Sequence, residues 1–289
     1  MKMQCLLDAF PFDETHTVRV YFWATVFGTW LLTFVKQQGK RNFSIVDRLW
    51  TVYPLSLVLL WPIVGARAQV ATGLVALWSF RLTYHSWRRG YYALGAEDYR
   101  WAHVRRWFAS SIAWELFNFF FISLAQTTLL YLIARPVRRI PLASSSEWSL
   151  AELGLVCVML VLLALEAVAD QQQYRFHAAK KKESGVGFVH TGLWRYSRHP
   201  NVFCELMFWT TLSGYCAVVS RPEPSLAGLW EYLVGPVCLA LLLQQSTALT
   251  ESISRAKYPT YRAYQIGTSK LVPWVPWTNA KIVSTAHKC

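Results

Sequence analysis

The chain has 289 residues, 54% of them apolar and 16% aromatic, with only 16% charged and a formal net charge of +13. Soluble domains carry about 25% charged residues, so this balance excludes an ordinary water-soluble globule and points to lipid. A positive charge of this size also admits nucleic acid as a partner, but its placement between long apolar runs follows membrane topology instead.

Seven stretches approach the roughly 20 apolar residues needed to cross a bilayer: 18–35, 50–65, 68–84, 112–133, 150–169, 201–219 and 227–249. The second and third are short enough to form one bent hairpin. The expectation is therefore an all-α polytopic membrane protein with six to seven transmembrane helices, forming a single integral membrane domain over 1–289. The first stretch follows "DAFPFDETH", which has no basic start and no small-residue cleavage site, so it reads as an uncleaved helix and not a signal peptide.

At the entry to the second stretch, "NFSIVDRLWTVYP" places Asp47 beside Arg48, and an interfacial ion pair between them is the plain reading. "LWSFRLTYHSWRRGYY" sets Arg81, Tyr84 and His85 at the end of the third. Tyr84 there reads as an aromatic-belt anchor or as a proton donor whose pKa arginine lowers. Glu115, Asn118 and Gln126 in the fourth read as hydrogen-bonding groups between helices. "PLASSSEW" then divides the chain into helices of 18–143 and a second half of 150–275. Its serines read as a helix cap, with Glu147 in the first turn.

With seven helices, 21 of the 29 Lys and Arg fall on the side that holds loops 36–49, 85–111 and 171–200 and the tail from 250. Positive residues mark the cytosolic side, so the carboxyl terminus is expected in the cytosol and the amino terminus outside. The loop "ARPVRRIP" runs against that pattern and keeps six helices open. Six cysteines, Cys5, Cys157, Cys204, Cys216, Cys238 and Cys289, form no CxxC pair. They read as buried, unreactive thiols, and no His/Cys group has the spacing of a zinc site.

Ionisable groups inside apolar helices are costly and mark function by default. Glu166, Asp170, Gln173 and His177 recur at steps of four, three and four; Asn201 and Glu205 are four apart; Gln244, Thr247 and Glu251 form a third stripe. Each stripe alone reads equally well as a structural seam, but together they outline a polar cavity open to the cytosol. "GLWRYSRHPN" brings Arg195, Tyr196, Arg198 and His199 to the start of a helix opened by Pro200, with Lys180, Lys181 and Lys182 upstream. Forked arginine donors and unpaired helix-start N–H groups suit phosphate, and a basic cluster touching lipid headgroups is the plainer alternative. Soluble dinucleotide signatures are missing: "GVGFVHTG" lacks the third glycine and a preceding strand.

Seven blocks in order now carry a resemblance. "NFSIVDRLWTVYP", "LWSFRLTYHSWRRG", "EDYRW", "LFNFFFISLAQTTLL", "EAVADQQQYRF", "TGLWRYSRHPNVFCE" and "LTESISRAKYPTYRAY" resemble an uncharacterised membrane-protein family grouped with the steroid 5-alpha reductases, over about residues 42 to 274. The resemblance implies an endoplasmic-reticulum reductase that uses NADPH to saturate an activated carbon–carbon double bond in a lipid. By motif, Asn201 and Glu205 would hold the nicotinamide and ribose. Asp170, Glu251, Lys257, Tyr258 and Tyr261 would line the rest, with Arg195, Arg198 and His199 by the phosphates and Tyr196 among the cofactor-binding residues. Asp47 and Tyr84 are the nearest counterparts of the pair that polarises the substrate ketone. The early helices depart from the steroid enzymes, so steroid specificity does not carry over, and a sterol, a polyprenol-type lipid or an unsaturated acyl chain remain open.

Isoprenylcysteine carboxyl methyltransferases share a similar "RHP" segment and a downstream tail with glutamate and tyrosines. They imply S-adenosylmethionine as the alternative cofactor, and a non-catalytic member that keeps the fold is a third class.

Overall fold

The computed structural model describes residues 14–141, 147–180, 187–221 and 225–276. Among them there is no strand; the chain is all-helical, with one isolated bridge between Gln37 and Lys40.

Helix α1 (His16–Leu32) begins at Thr15, whose hydroxyl accepts from the Val18 N–H, and buries Val18, Phe22, Val26 and Thr29 along one face. The expected span 50–65 is not one helix. The short helix α2 (Ile45–Leu49) ends just before it and only α3 (Tyr53–Val58) lies within it, with Pro54 in the first turn of α3 and Pro62 beyond its end. Proline blocks continuation of a helix, so neither piece is long enough to cross a bilayer. Gly65, at φ +83°, turns the chain into α4 (Ala66–Arg88), a conformation that favours glycine.

Asp98 caps α5 (Tyr99–Arg105) by accepting from the Arg100 N–H. Ser110 does the same for α6 (Ser111–Phe117). That helix widens into a π-helix (Asn118–Ala125), returns to α geometry as α7 (Gln126–Ala134) and tightens into a 3-10 turn (Arg135–Arg139) that contains Pro136. Helix α8 is Leu150–Lys180, followed by a 3-10 turn (Gly192–Arg195), α9 (Pro200–Ser220), α10 (Leu226–Lys257) and the short α11 (Tyr261–Gly267).

Among the described residues, four continuous helical segments are long and apolar enough to cross a membrane: Ser111–Arg139, Leu150–Ala179, Pro200–Ser220 and Gly228–Lys257. They contain the expected fourth to seventh spans and fit an integral membrane protein. Much of their apolar surface, including Leu153, Val158, Leu160, Val161, Leu165 and Val168 on α8, is exposed, as lipid-facing helices require. Helix α1, at 17 residues, rises only about 25 Å against a hydrocarbon core of about 30 Å.

The start of α8 corrects one sequence reading. The cap is Ser149 and its partner Glu152: the Ser149 N–H donates to Glu152 Oε2 (2.7 Å) and the Glu152 N–H to Ser149 Oγ (3.2 Å), a capping box. Glu147 precedes the helix, and its carbonyl accepts from Arg67 Nη2 (2.6 Å); the serines 144–146 lie outside the described residues. The cysteine expectation also changes: Cys204 and Cys216 are buried but Cys157 is exposed and Cys238 only partly covered, while Cys5 and Cys289 lie outside the described residues.

The chain forms two compact units, one taking in the chain up to Val156 with Thr210–Leu239, the other Cys157–Trp209 with the chain from Ala240. In the first, α3 packs on α4 and α7, and the π-helix on α1. Gly235 lets α10 reach the α7 backbone: a Cβ there would stand 2.5 Å from the Leu132 carbonyl oxygen, the small-residue contact that membrane helices favour.

Candidate functional site

The second unit holds the residues around the start of α9. Gln172 on α8 accepts from the Leu193 N–H (2.9 Å), and Trp194 Nε1 donates to the Ala169 carbonyl (3.1 Å), so the 3-10 turn rests on α8. Gly192, at φ +64°, packs so closely on Gln172 that a Cβ would come within 2.5 Å of its amide. Tyr264 donates to the Trp194 carbonyl from the other side; burial pushes its phenol well above the usual range and keeps it a donor.

Beyond that turn the loop is tied to the tail that follows α11. Ser197 Oγ donates to the Leu271 carbonyl (2.7 Å) and accepts from the His199 N–H (3.1 Å). The Arg198 N–H donates to the Ser269 carbonyl (2.8 Å), and the Trp274 N–H to the Tyr196 carbonyl (2.9 Å). Neither Ser197 nor this strap stood out in the sequence, although a serine two residues before a histidine N–H is a recurrent turn motif.

The side chains of Arg198 and His199 turn inward to Glu251. Arg198 donates through Nε (2.7 Å) and Nη2 (3.2 Å) to the two carboxylate oxygens, and His199 Nε2 lies 3.0 Å from Oε1. Gln265 Nε2 adds a fourth contact at 2.8 Å. The remaining Arg198 nitrogen donates to the Gln265 carbonyl (2.8 Å) and the Thr268 carbonyl. The expectation that Arg198 and His199 face phosphates therefore meets a different arrangement: both are spent on a carboxylate. Arg195 and Tyr196 are exposed. Lys180 closes α8, and Lys181 and Lys182 lie outside the described residues.

Further in, the acceptors gather. Asn201 Nδ2 donates to Asp170 Oδ1 at 3.4 Å, while its Oδ1 is buried and has no hydrogen-bond partner. Glu205, one turn along α9, accepts from Trp209 Nε1 (3.1 Å). Asp170 and Glu166 are both buried on α8 and His177, two turns on, is exposed, so that stripe runs from interior to surface as its spacing suggested. Tyr258 and Tyr261 pack instead with Phe188 and Tyr264 in an aromatic cluster, and Lys257 is exposed, its ammonium 5.4 Å from the Tyr258 ring.

Asp47 and Tyr84 belong to the first unit, and no hydrogen bond joins them. Asp47 Oδ2 accepts from Trp101 Nε1 (2.7 Å). The expected pair with Arg48 is not formed, because Arg48 donates to the carbonyls of Tyr91 (3.1 Å) and Ala96 (2.9 Å). Tyr84 is about half exposed, stacked on Phe80, with the Arg88 guanidinium over its ring.

Burial pushes the Asp47 carboxyl above its ordinary range, reinforced by the Asp98 charge and opposed by Arg100 and by hydrogen bonds from Trp101 and Ser44. At Asp98 burial acts upward too, but paired hydrogen bonds from Arg100 outweigh it and hold the carboxyl low. Asp98 thus contributes stability above the ordinary carboxyl range and loses it as pH falls; Asp47 acts in the opposite sense and costs stability once pH rises past that range. Asp47→Asn is expected to raise the melting temperature at pH 7 and leave it unchanged near pH 3, each kcal/mol removed being worth about 2–4 °C. Thermal unfolding of the detergent-purified variant at both pH values checks this.

Residues 33–268 match the family described as a protein of unknown function, DUF1295. An uncharacterized protein of Schizosaccharomyces pombe is 35% identical over 271 residues, covering 84% of this chain and 76% of its own. No solved structure matches.

Proposed function

As the chain belongs to the DUF1295 family of proteins of unknown function, we propose its activity from the site itself: a membrane-bound, NADPH-dependent reductase of a carbon–carbon double bond in a lipid. The observation that carries this reading is the acceptor set at the start of α9. The unfilled Asn201 Oδ1 and the Glu205 carboxylate lie one turn apart, with Asp170 against the Asn201 amide. Such a set suits the amide N–H groups and sugar hydroxyls of a nicotinamide riboside. The residues fit that end of the cofactor; the phosphates fall to the exposed Arg195 and Lys257. Bound there, the cofactor supplies a hydride for the β-carbon of an enone-like lipid. The chain's own part is to hold the carboxamide and to present a proton donor to the substrate oxygen. Asp47, whose carboxyl burial keeps protonated to higher pH, and the Tyr84 phenol are the proposed donors.

The same reading puts the protein in the endoplasmic reticulum membrane with six spans, its carboxyl terminus in the cytosol and its lipid substrate in the bilayer. Glu205→Gln is expected to weaken NADPH binding at least tenfold, the scale of a hydrogen bond to a charged group. Isothermal titration of the purified protein measures it, and unchanged affinity sinks the role of Glu205.

One observation favours a second reading. Engagement of Arg198 and His199 by Glu251 leaves an acceptor-rich site with few free phosphate donors, and that suits the cationic S-adenosylmethionine of a methyltransferase. Titrating both cofactors against one preparation separates the two, and binding of neither points to a non-catalytic membrane protein.

A further inference from the structure

The first unit contains a buried polar stripe that the reductase reading does not use. Asn118, Ser123 and Thr127 are each completely buried in the helix that runs Ser111–Arg139. Asn118 and Ser123 lie in its π-helical segment and Thr127 in the first turn of α7. Five residues make about one turn of π-helix and four about one turn of α-helix, so the three fall on one side. Asn118 Oδ1, Ser123 Oγ and Thr127 Oγ1 all lack a hydrogen-bond partner.

Two further facts make these vacancies specific. Several hydroxyls in the same unit satisfy themselves on the preceding turn, Thr25 on the Tyr21 carbonyl (2.8 Å), Thr29 on that of Thr25 (2.8 Å) and Thr72 on that of Ala68 (2.8 Å), although Thr128 Oγ1 and Ser213 Oγ are unfilled too. Ser123 and Thr127 do not, and the widened π turn is where the regular ladder that would offer them a carbonyl changes register. The Asn118 amide, for its part, is fixed in orientation. Its Nδ2 donates to Thr33 Oγ1 (3.0 Å) and to Glu115 Oε2 (3.3 Å), and Glu115 is paired with Arg41. A flip would set oxygen against oxygen, so the unfilled atom is an acceptor.

We propose that this stripe binds the hydroxyl end of a neutral lipid alcohol that enters the helix bundle from the bilayer. A hydroxyl can donate to Asn118 Oδ1 and accept from Ser123, with Thr127 one turn further along the same side. Glu115, which accepts from the Asn118 amide, is neutralised by Arg41, so the stripe offers no free charge to an ionised headgroup. The bilayer supplies no water to fill such groups. The site does not depend on which cofactor the start of α9 takes.

A diazirine-bearing hexadecanol, compared with its methyl ether, tests the proposal on the full chain in lipid nanodiscs. The alcohol is expected to photolabel peptides within 111–139 about tenfold more than the ether, which cannot donate to Asn118. Ser123→Ala and Thr127→Val should each cut that labelling several-fold without lowering the melting temperature. Equal labelling by alcohol and ether overturns the proposal, as does labelling that both variants leave unchanged. A rise in melting temperature in the variants with no labelling in the parent means that the hydroxyls are merely unsatisfied, and overturns it too.

Discussion

Glu251→Ala is expected to lower stability by about 3–5 kcal/mol, the cost of stranding one member of a buried ion pair. In a chain of this size that is roughly a 10 °C fall in melting temperature. Both side chains of the Arg198–Glu251 pair are about nine-tenths buried, at 10% and 8% exposure. Without the carboxylate, the guanidinium keeps only backbone carbonyls, and His199 and Gln265 lose their acceptor as well. Replacing both partners by methionine should recover part of the loss, because an apolar pair leaves no stranded charge. Arg195→Ala gives the contrast: the side chain is exposed, so stability should move by less than about 0.5 kcal/mol while affinity for an anionic ligand falls. Fluorescence-detected unfolding and cofactor titration of the three variants read both effects.

The second large effect is expected at Glu152. Its carboxylate receives Arg67 Nε and Nη2, the latter at 3.1 Å, with both side chains at 6% exposure, and it closes the capping box with Ser149. Glu152→Ala removes the counter-charge and half of the cap together, so it should cost about 3–5 kcal/mol for the pair and about 1 kcal/mol for the cap. Ser149→Ala isolates the smaller cap contribution, since it leaves Arg67 paired. If the two variants unfold at the same temperature, the Arg67 pair contributes nothing beyond the cap.

The apolar helices from Ser111 onward were legible because a bilayer demands uninterrupted apolar length, which is a local property. The acceptors Asn201 and Glu205 were legible for the same reason, four apart on one helix. The fate of Arg198 and His199 was not: their partner Glu251 stands more than fifty residues downstream, and no local pattern reports which carboxylate a cation meets. The stretch 50–65 misled by apolar content alone, although Pro54, Pro62 and Gly65 were there to break it. The π-helix over Asn118–Ala125 left no trace, because "NFFFISLA" is as apolar as any regular span.

The strap that ties Ser197 to the Leu271 carbonyl joins residues 74 apart. A ribosome adds about 5–20 residues per second, so the loop before α9 waits roughly 4–15 s between its own synthesis and the arrival of its closing segment. Glu251, the carboxylate that Arg198 meets, is made first, within the last membrane-length helix, and Ser197 lacks its partner throughout the interval. Completion of this region is therefore among the final events of the protein's biogenesis, and the segment 265–274, although partly exposed, is stitched to the loop before α9 by its hydrogen bonds.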